Sequence, residues 1–252
     1  MTVRGALAIY FASLLRTYLL SPTIYMGLLF VAGLMGFVGA EAAKIPLPSW
    51  FSMMYLLFSF SIVGGMARSV LIGSGAFSYL TRHAGINPAK LALTLVLAGM
   101  TTQMALSPLF TALLTLIYYV FDGTVPIINV GLIVPAVVLS SLFTAALGVT
   151  VGLILVSRAT AARLVNGVPL LVLCTYLVSL VTPAGARPYN PVTAMMTLLA
   201  ASVTVGGSAP TTLNPLTLTA VIIASSTILL ILAITSMRRL REVNIYDILM
   251  SI

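Results

Sequence analysis

The chain has 252 residues, 60% hydrophobic and 6% charged, with a mean hydropathy of +1.17, whereas an average soluble domain carries roughly 25% charged residues. This balance defines an integral membrane protein. The formal charge of +8 would suit nucleic acid only on a soluble body with a basic face, and here the Lys and Arg residues are scattered between long apolar runs, which argues against nucleic-acid binding.

Residues 1–20 begin like a secretory signal, with Arg4 followed by the apolar "GALAIYFASLL". Arg16 interrupts that run and no small-residue cleavage site precedes the next one, so the segment is expected to stay as an amphipathic helix in the membrane interface. Ser21-Pro22 punctuates it, and Pro22 suits the first turn of a following helix.

Six apolar runs are long enough, or nearly so, to cross about 30 Å of hydrocarbon as helices: residues 23–40, 49–67, 91–120, 130–156, 168–182 and 217–236. None contains a charged residue. Pro108 within the third permits a kink. Of the twelve Lys and Arg, only Lys44 and Arg187 fall on one side of this layout. Because short cytoplasmic loops retain positive charge, both termini are expected in the cytoplasm of a multi-pass cell-membrane protein, and residues 237–252 form a cytoplasmic tail.

The loop at residues 68–90 contains "SGAFSYLTRHAGINPAK", with Arg82, Lys90 and His83, the only histidine of the chain. "SGAFSYLTRH" can form a short cytoplasmic helix that presents Phe77, Tyr79 and Leu80, broken at Gly85 and followed by a fresh helix start at Asn87-Pro88. An aromatic surface helix suits docking to another protein. Arg82, His83 and Lys90 equally suit topology anchors, with Phe77 or Tyr79 at the interface.

In the fourth run, Thr144, Gly148 and Gly152 recur every four positions, a spacing that lets helix backbones approach closely in lipid. Cys174, the only cysteine, allows no intrachain disulfide and reads as a small apolar packing residue. Residues 183–216 stay outside the membrane proper, yet "VTAMMTLLAASVTV" (192–205) is too apolar for a solvated loop and too short to cross. An interfacial or re-entrant helix fits, as does a hydrophobic loop packed on the outer ends of the bundle.

The four acids, Glu41, Asp122, Glu242 and Asp247, lie far apart in this layout, so no carboxylate, metal or nucleophile cluster of an enzyme is expected. No Gly-rich Walker segment is present. No ionisable residue sits within the runs, which weighs against a proton-coupled carrier but leaves open an ATP-independent secondary transporter or channel.

In order and punctuation the chain resembles the type-2 ABC transporter permeases, the membrane subunits of ABC exporters. "LLRTYLLSPTIYMGLLF" looks like that family's interfacial helix leading into the first span. "GSGAFSYLTRHAGINPAKLALTLVLAG" is similar to its coupling segment, keeping Gly75, an apolar pair at Tyr79-Leu80, Pro88 and Lys90, but without the family's glutamates. "RPYNPVTAMM" resembles the Asn-Pro entry to its exoplasmic helix. The resemblance implies an all-α integral membrane fold occupying residues 1–252 as a single permease domain. This fold has six transmembrane helices, an N-terminal interfacial helix, a cytoplasmic coupling helix and an exoplasmic helix between the last two spans.

It further implies a permease without its own ATPase site, paired with a second permease copy or paralogue and a separate cytoplasmic ATP-binding subunit that carries ATP and magnesium. Phe77, Ser78, Tyr79, Leu80, Thr81, Arg82 and His83 would couple to that subunit. Met53, Met54 and Phe58, with Leu173 and Tyr176, would line the substrate path. A Met-rich apolar lining suits a hydrophobic or amphipathic cargo, in contact with membrane lipid.

Overall fold

The computed structural model describes residues 47–123, 125–156, 189–204 and 214–239, together with isolated positions at 8, 11–13, 15–16 and 174. Within these residues lie five helices and one two-stranded ladder: α1 (Leu47–Arg82), α2 (Pro88–Asp122), β1 (Ile127–Ile128), α3 (Val130–Val156), α4 (Pro191–Ala201), β2 (Val203–Thr204) and α5 (Pro215–Arg238). Four of them, α1, α2, α3 and α5, are long and apolar enough to cross a membrane. They contain the runs expected at 49–67, 91–120, 130–156 and 217–236. The runs at 23–40 and 168–182 lie outside the described residues, as do most of the expected interfacial helix 1–20 and most of the tail 237–252.

The helix starts follow from local chemistry. Asn87, Asn190 and Asn214 each hold an extended backbone and accept a hydrogen bond from the amide two residues on, at 2.9, 3.0 and 3.0 Å. Each is followed by a proline at the first helical position, where the missing N–H has no intrahelical partner to lose. At the far end of α2, Gly123 at φ 71° caps the helix, its N–H reaching Tyr119 O. Pro108 and Pro135 both lie within continuous helices.

Contacts fix the directions of the helices. Tyr55 meets Ser107, Ser59 meets Gln103, and Met66 lies over Gly99, so α1 and α2 run antiparallel. Gly148 faces Val63 and Met66, whereas Gly152 faces Ala67 and Val70, so α1 and α3 run parallel. β1 and β2 pair antiparallel, Ile127 with Thr204 and Ile128 with Val203. That pairing ties the start of α3 to the segment between α4 and α5. α4 is an 11-residue helix, about 16 Å long, too short to cross, with Val192, Ala194, Met195 and Leu199 buried. Of residues 192–205, expected as an interfacial or re-entrant helix or as a packed loop, those to Ala201 are helical and 203–204 form β2, and the helix is packed rather than solvated.

Of the expected Thr144, Gly148, Gly152 ridge, the two glycines form the α1–α3 contact, while Thr144 meets Gln103 of α2. A Cβ on Gly148 would stand 2.9 Å from Met66 Cβ and 3.1 Å from Val63 O; one on Gly152 would stand 2.8 Å from Val70 Cβ and 2.9 Å from Ala67 O. Hydrogen at these positions is what allows the two backbones to touch. Cys174, expected to pack as a small hydrophobe, is instead exposed; in a membrane helix an apolar residue can face lipid without the cost of facing water.

Candidate functional site

The structure changes the expected coupling segment in one respect. No short helix separates from the run expected at 49–67: α1 runs unbroken for 36 residues, about 54 Å, well beyond the roughly 30 Å of hydrocarbon. Gly73 and Gly75 do not break it. Gly73 leaves room for Phe77 one turn on to lay its ring against the helix, since a Cβ there would stand 2.6 Å from Phe77 Cζ. Phe77 is accordingly 1% exposed and belongs to the core, a correction to its expected surface role. The physical reason is the i, i+4 geometry of a helix, which turns the aromatic ring back over the preceding turn.

The other expected coupling residues spread around the last two turns of α1. Ser78 is buried, its hydroxyl without a hydrogen-bond partner among the described residues. Thr81 donates to the carbonyls of Phe77 and Ser78, at 2.9 and 3.0 Å. Leu80 is half-buried, while Tyr79, Arg82 and His83 are exposed. The Tyr79 and His83 rings lie one helical turn apart with centroids at 5.3 Å. The exposed face is therefore Tyr79, Arg82 and His83, with Leu80 at its edge.

Gly85, at φ 65°, ends the helix in a conformation other residues adopt rarely. It turns the chain so that Ile86 N–H reaches Leu80 O at 3.0 Å, while the Ile86 side chain is buried. Asn87 and Pro88 then start α2. The whole turn is a hydrogen-bonded hairpin that links the tip of α1 to α2 and places exposed Lys90 beside it.

Of the expected path residues, Met54 and Phe58 are 2% and 0% exposed and Met53 is half-buried; Leu173 and Tyr176 lie outside the described residues. Phe58 stacks on Phe110 of α2 with centroids at 4.4 Å, and Tyr55 meets both rings edge-on at 5.8 and 6.0 Å. Phe58 is thus held between helices of its own chain. It faces no open path among the described residues, because the aromatic pair fills the space between α1 and α2.

Beside that aromatic cluster lies a group that the apolar runs concealed. Gln103, 0% exposed, donates from Nε2 to Ser59 Oγ at 2.8 Å and accepts at Oε1 from Thr144 Oγ1 at 2.6 Å. One amide therefore ties α2 to both α1 and α3. Ser59 passes its own proton to Tyr55 O at 2.9 Å. Ser107 donates to Gln103 O at 2.7 Å, which commits its proton and makes Tyr55 Oη the donor in the Tyr55–Ser107 bond. The hydroxyls of Ser59, Ser107 and Thr144 each have an acceptor, and no side chain of the network carries a charge. The signal in the sequence was "TTQMALS": Gln103 and Ser107 stand four apart, on one face of a helix.

Among the described residues no group of His, Cys, Asp or Glu could hold a metal ion. Comparison with protein-family models, with curated proteins and with solved structures finds no match for this chain.

Proposed function

We propose that the chain is the membrane-spanning permease subunit of an ATP-driven ABC exporter, moving a hydrophobic or amphipathic substrate across the cell membrane. It works with a separate ATP-binding subunit and a second permease copy or paralogue. The observation that carries this reading is the unbroken run of α1 beyond membrane thickness. A helix that crosses the bilayer and continues to an exposed Tyr79, Arg82 and His83 face behaves as a stiff lever. A push on its tip from a cytoplasmic subunit moves the buried residues Tyr55 to Val70 against α2 and α3. The Gly85–Pro88 hairpin passes the same push directly to α2.

In this reading the chain has no ATPase site of its own; nucleotide and magnesium belong to the partner. The cationic tip lies in the cytoplasm, and α4 is the exoplasmic helix. The reading is also supported by the order of the segments that resemble the type-2 permeases. Its coupling face is Tyr79, Leu80, Arg82 and His83, without the buried Phe77.

The test is purification of the tagged chain from its native membrane in mild detergent, with identification of co-purifying proteins and an ATPase assay. A stoichiometric ATP-binding subunit that is lost in Tyr79→Asp and Leu80→Asp is the expected result, since either change would place an unpaired charge in the contact. A chain that emerges alone, with no ATPase activity in any preparation, refutes the reading. An ATP-independent transporter or channel built around the buried Gln103–Ser59–Thr144 network would then stand in its place.

A further inference from the structure

A cleft of about 710 Å³ opens between α2 and α3 towards the ends linked by β1. Its α2 wall is a stripe of Ser107, Thr111, Thr115 and Tyr119, four residues apart and so on one helix face, and its α3 wall includes Val134 and Val138. From Met104 at the inner end to Tyr119 at the outer, the helix rises about 22 Å. That is close to the depth of one bilayer leaflet with its headgroups, half of about 40–45 Å. No charged side chain lines the cleft.

The polar groups along it are incompletely used. Ser107 and Thr115 donate to carbonyls of their own helix, at 2.7 and 2.9 Å. The hydroxyls of Thr111 and Tyr119 have no hydrogen-bond partner among the described residues. Pro108, which also lines the cleft, has no N–H to give the carbonyl of Met104. Apolar walls with a few unsatisfied polar groups in a volume of this size are the usual make-up of a small-molecule site. Water is a poor occupant, because it needs two to four polar partners at one point, and here the hydroxyls are spread along a stripe.

We propose that this cleft binds one uncharged lipid from that leaflet. The hydrocarbon chain lies between the α2 stripe and the valines of α3, and a hydroxyl-bearing head lies at Tyr119 and at the Thr115 oxygen, which can still accept although its proton is committed. The lining offers no charge to balance an ion, and the leaflet-length shape favours a chain over a compact solute. Because Ser107 both lines the cleft and accepts from buried Tyr55, an occupant touches the network that joins α1, α2 and α3. The site rests on this geometry alone and not on the exporter reading.

The test uses the full-length chain in phosphatidylcholine nanodiscs with a monoacylglycerol that carries a diazirine in its acyl chain. After photolysis, crosslinked peptides are mapped and excess unlabelled monoacylglycerol is added as competitor. Ile223, Ile228 and Ile231 of α5, all exposed, report non-specific annular contact. The expected result is saturable labelling of residues 104–119 and 133–138, with unsaturable labelling on α5.

Ala112→Phe and Val138→Phe fill the cleft from opposite walls without touching the hydroxyls. Each is expected to weaken binding about tenfold, the equivalent of roughly 1.4 kcal/mol, and to leave α5 labelling unchanged. Cleft labelling that resists competition, or that matches α5 in both variants, overturns the proposal. The competition arm uses the unmodified chain, so it decides the question even if neither variant folds.

Discussion

Replacing Gly152 with alanine probes the close approach of α3 to the α1 backbone. The added methyl would stand 2.9 Å from Ala67 O and 2.8 Å from Val70 Cβ, where ordinary contact begins at 3.4 Å. The overlap of roughly half an ångström falls on a backbone oxygen and a β-branched stem, neither of which can swing aside, so α1 and α3 must separate locally. Overpacking of this kind costs about 1–3 kcal/mol. The helix-propensity gain of alanine over glycine, about 0.8–1.0 kcal/mol, offsets part of it.

Gly65 supplies the control, because a Cβ there meets nothing within 4 Å. Gly65→Ala keeps the propensity gain without the clash and is expected to be neutral or stabilising. Thermal unfolding of the purified protein in detergent would measure the difference. For a chain of this size, 1 kcal/mol corresponds to about 2–4 °C, so Gly152→Ala is expected to melt roughly 2–12 °C below Gly65→Ala. Equal melting temperatures for the two variants would refute the close α1–α3 approach.

Gln103→Leu removes the two bonds to Ser59 and Thr144. Both hydroxyls keep acceptors on their own helices and interhelical bonds in membranes average about 0.6 kcal/mol, so a loss of about 1 kcal/mol is expected in the same melting assay. Gln103→Glu should cost more, about 2.5–3.5 kcal/mol if the carboxylate stays ionised at that depth, and its melting temperature should recover as pH falls and the carboxyl protonates. Asn190→Ala takes the cap from α4 and is expected to cost about 1 kcal/mol, read as faster amide hydrogen exchange over residues 191–195 with little change in α3. In the coupling assay, Tyr79→Asp should leave expression and melting unchanged, because the side chain is exposed, while Phe77→Asp should destabilise the chain, because that ring is buried. Identical behaviour of the two variants would contradict the assignment of Phe77 to the core.

Much of this molecule was legible along the chain. The run at residues 130–156 coincides with α3, because uninterrupted hydropathy of membrane length leaves a backbone no other way to satisfy its amides. The Asn-Pro pair at 87 marked a helix start and Gly85 a helix end, and the pair at 190 did so through the resemblance, because capping and left-handed turns are decided by one or two neighbouring residues; the same pair at 214 starts α5 two residues before the expected run. The Thr144, Gly148, Gly152 spacing announced a close contact but not its partner.

Only the tertiary structure decided that α1 continues unbroken to Arg82, that Phe77 is core while Tyr79 is surface, and that Phe58 is stacked on Phe110. It likewise decided that Gln103 bridges Ser59 and Thr144, residues 44 and 41 positions away in sequence, and that α2 and α3 part to leave a cleft. Hydropathy and capping are properties of adjacent residues and can be read in order. Which face of a helix meets another helix depends on side chains brought together across dozens of positions, and only the packed bundle decides that.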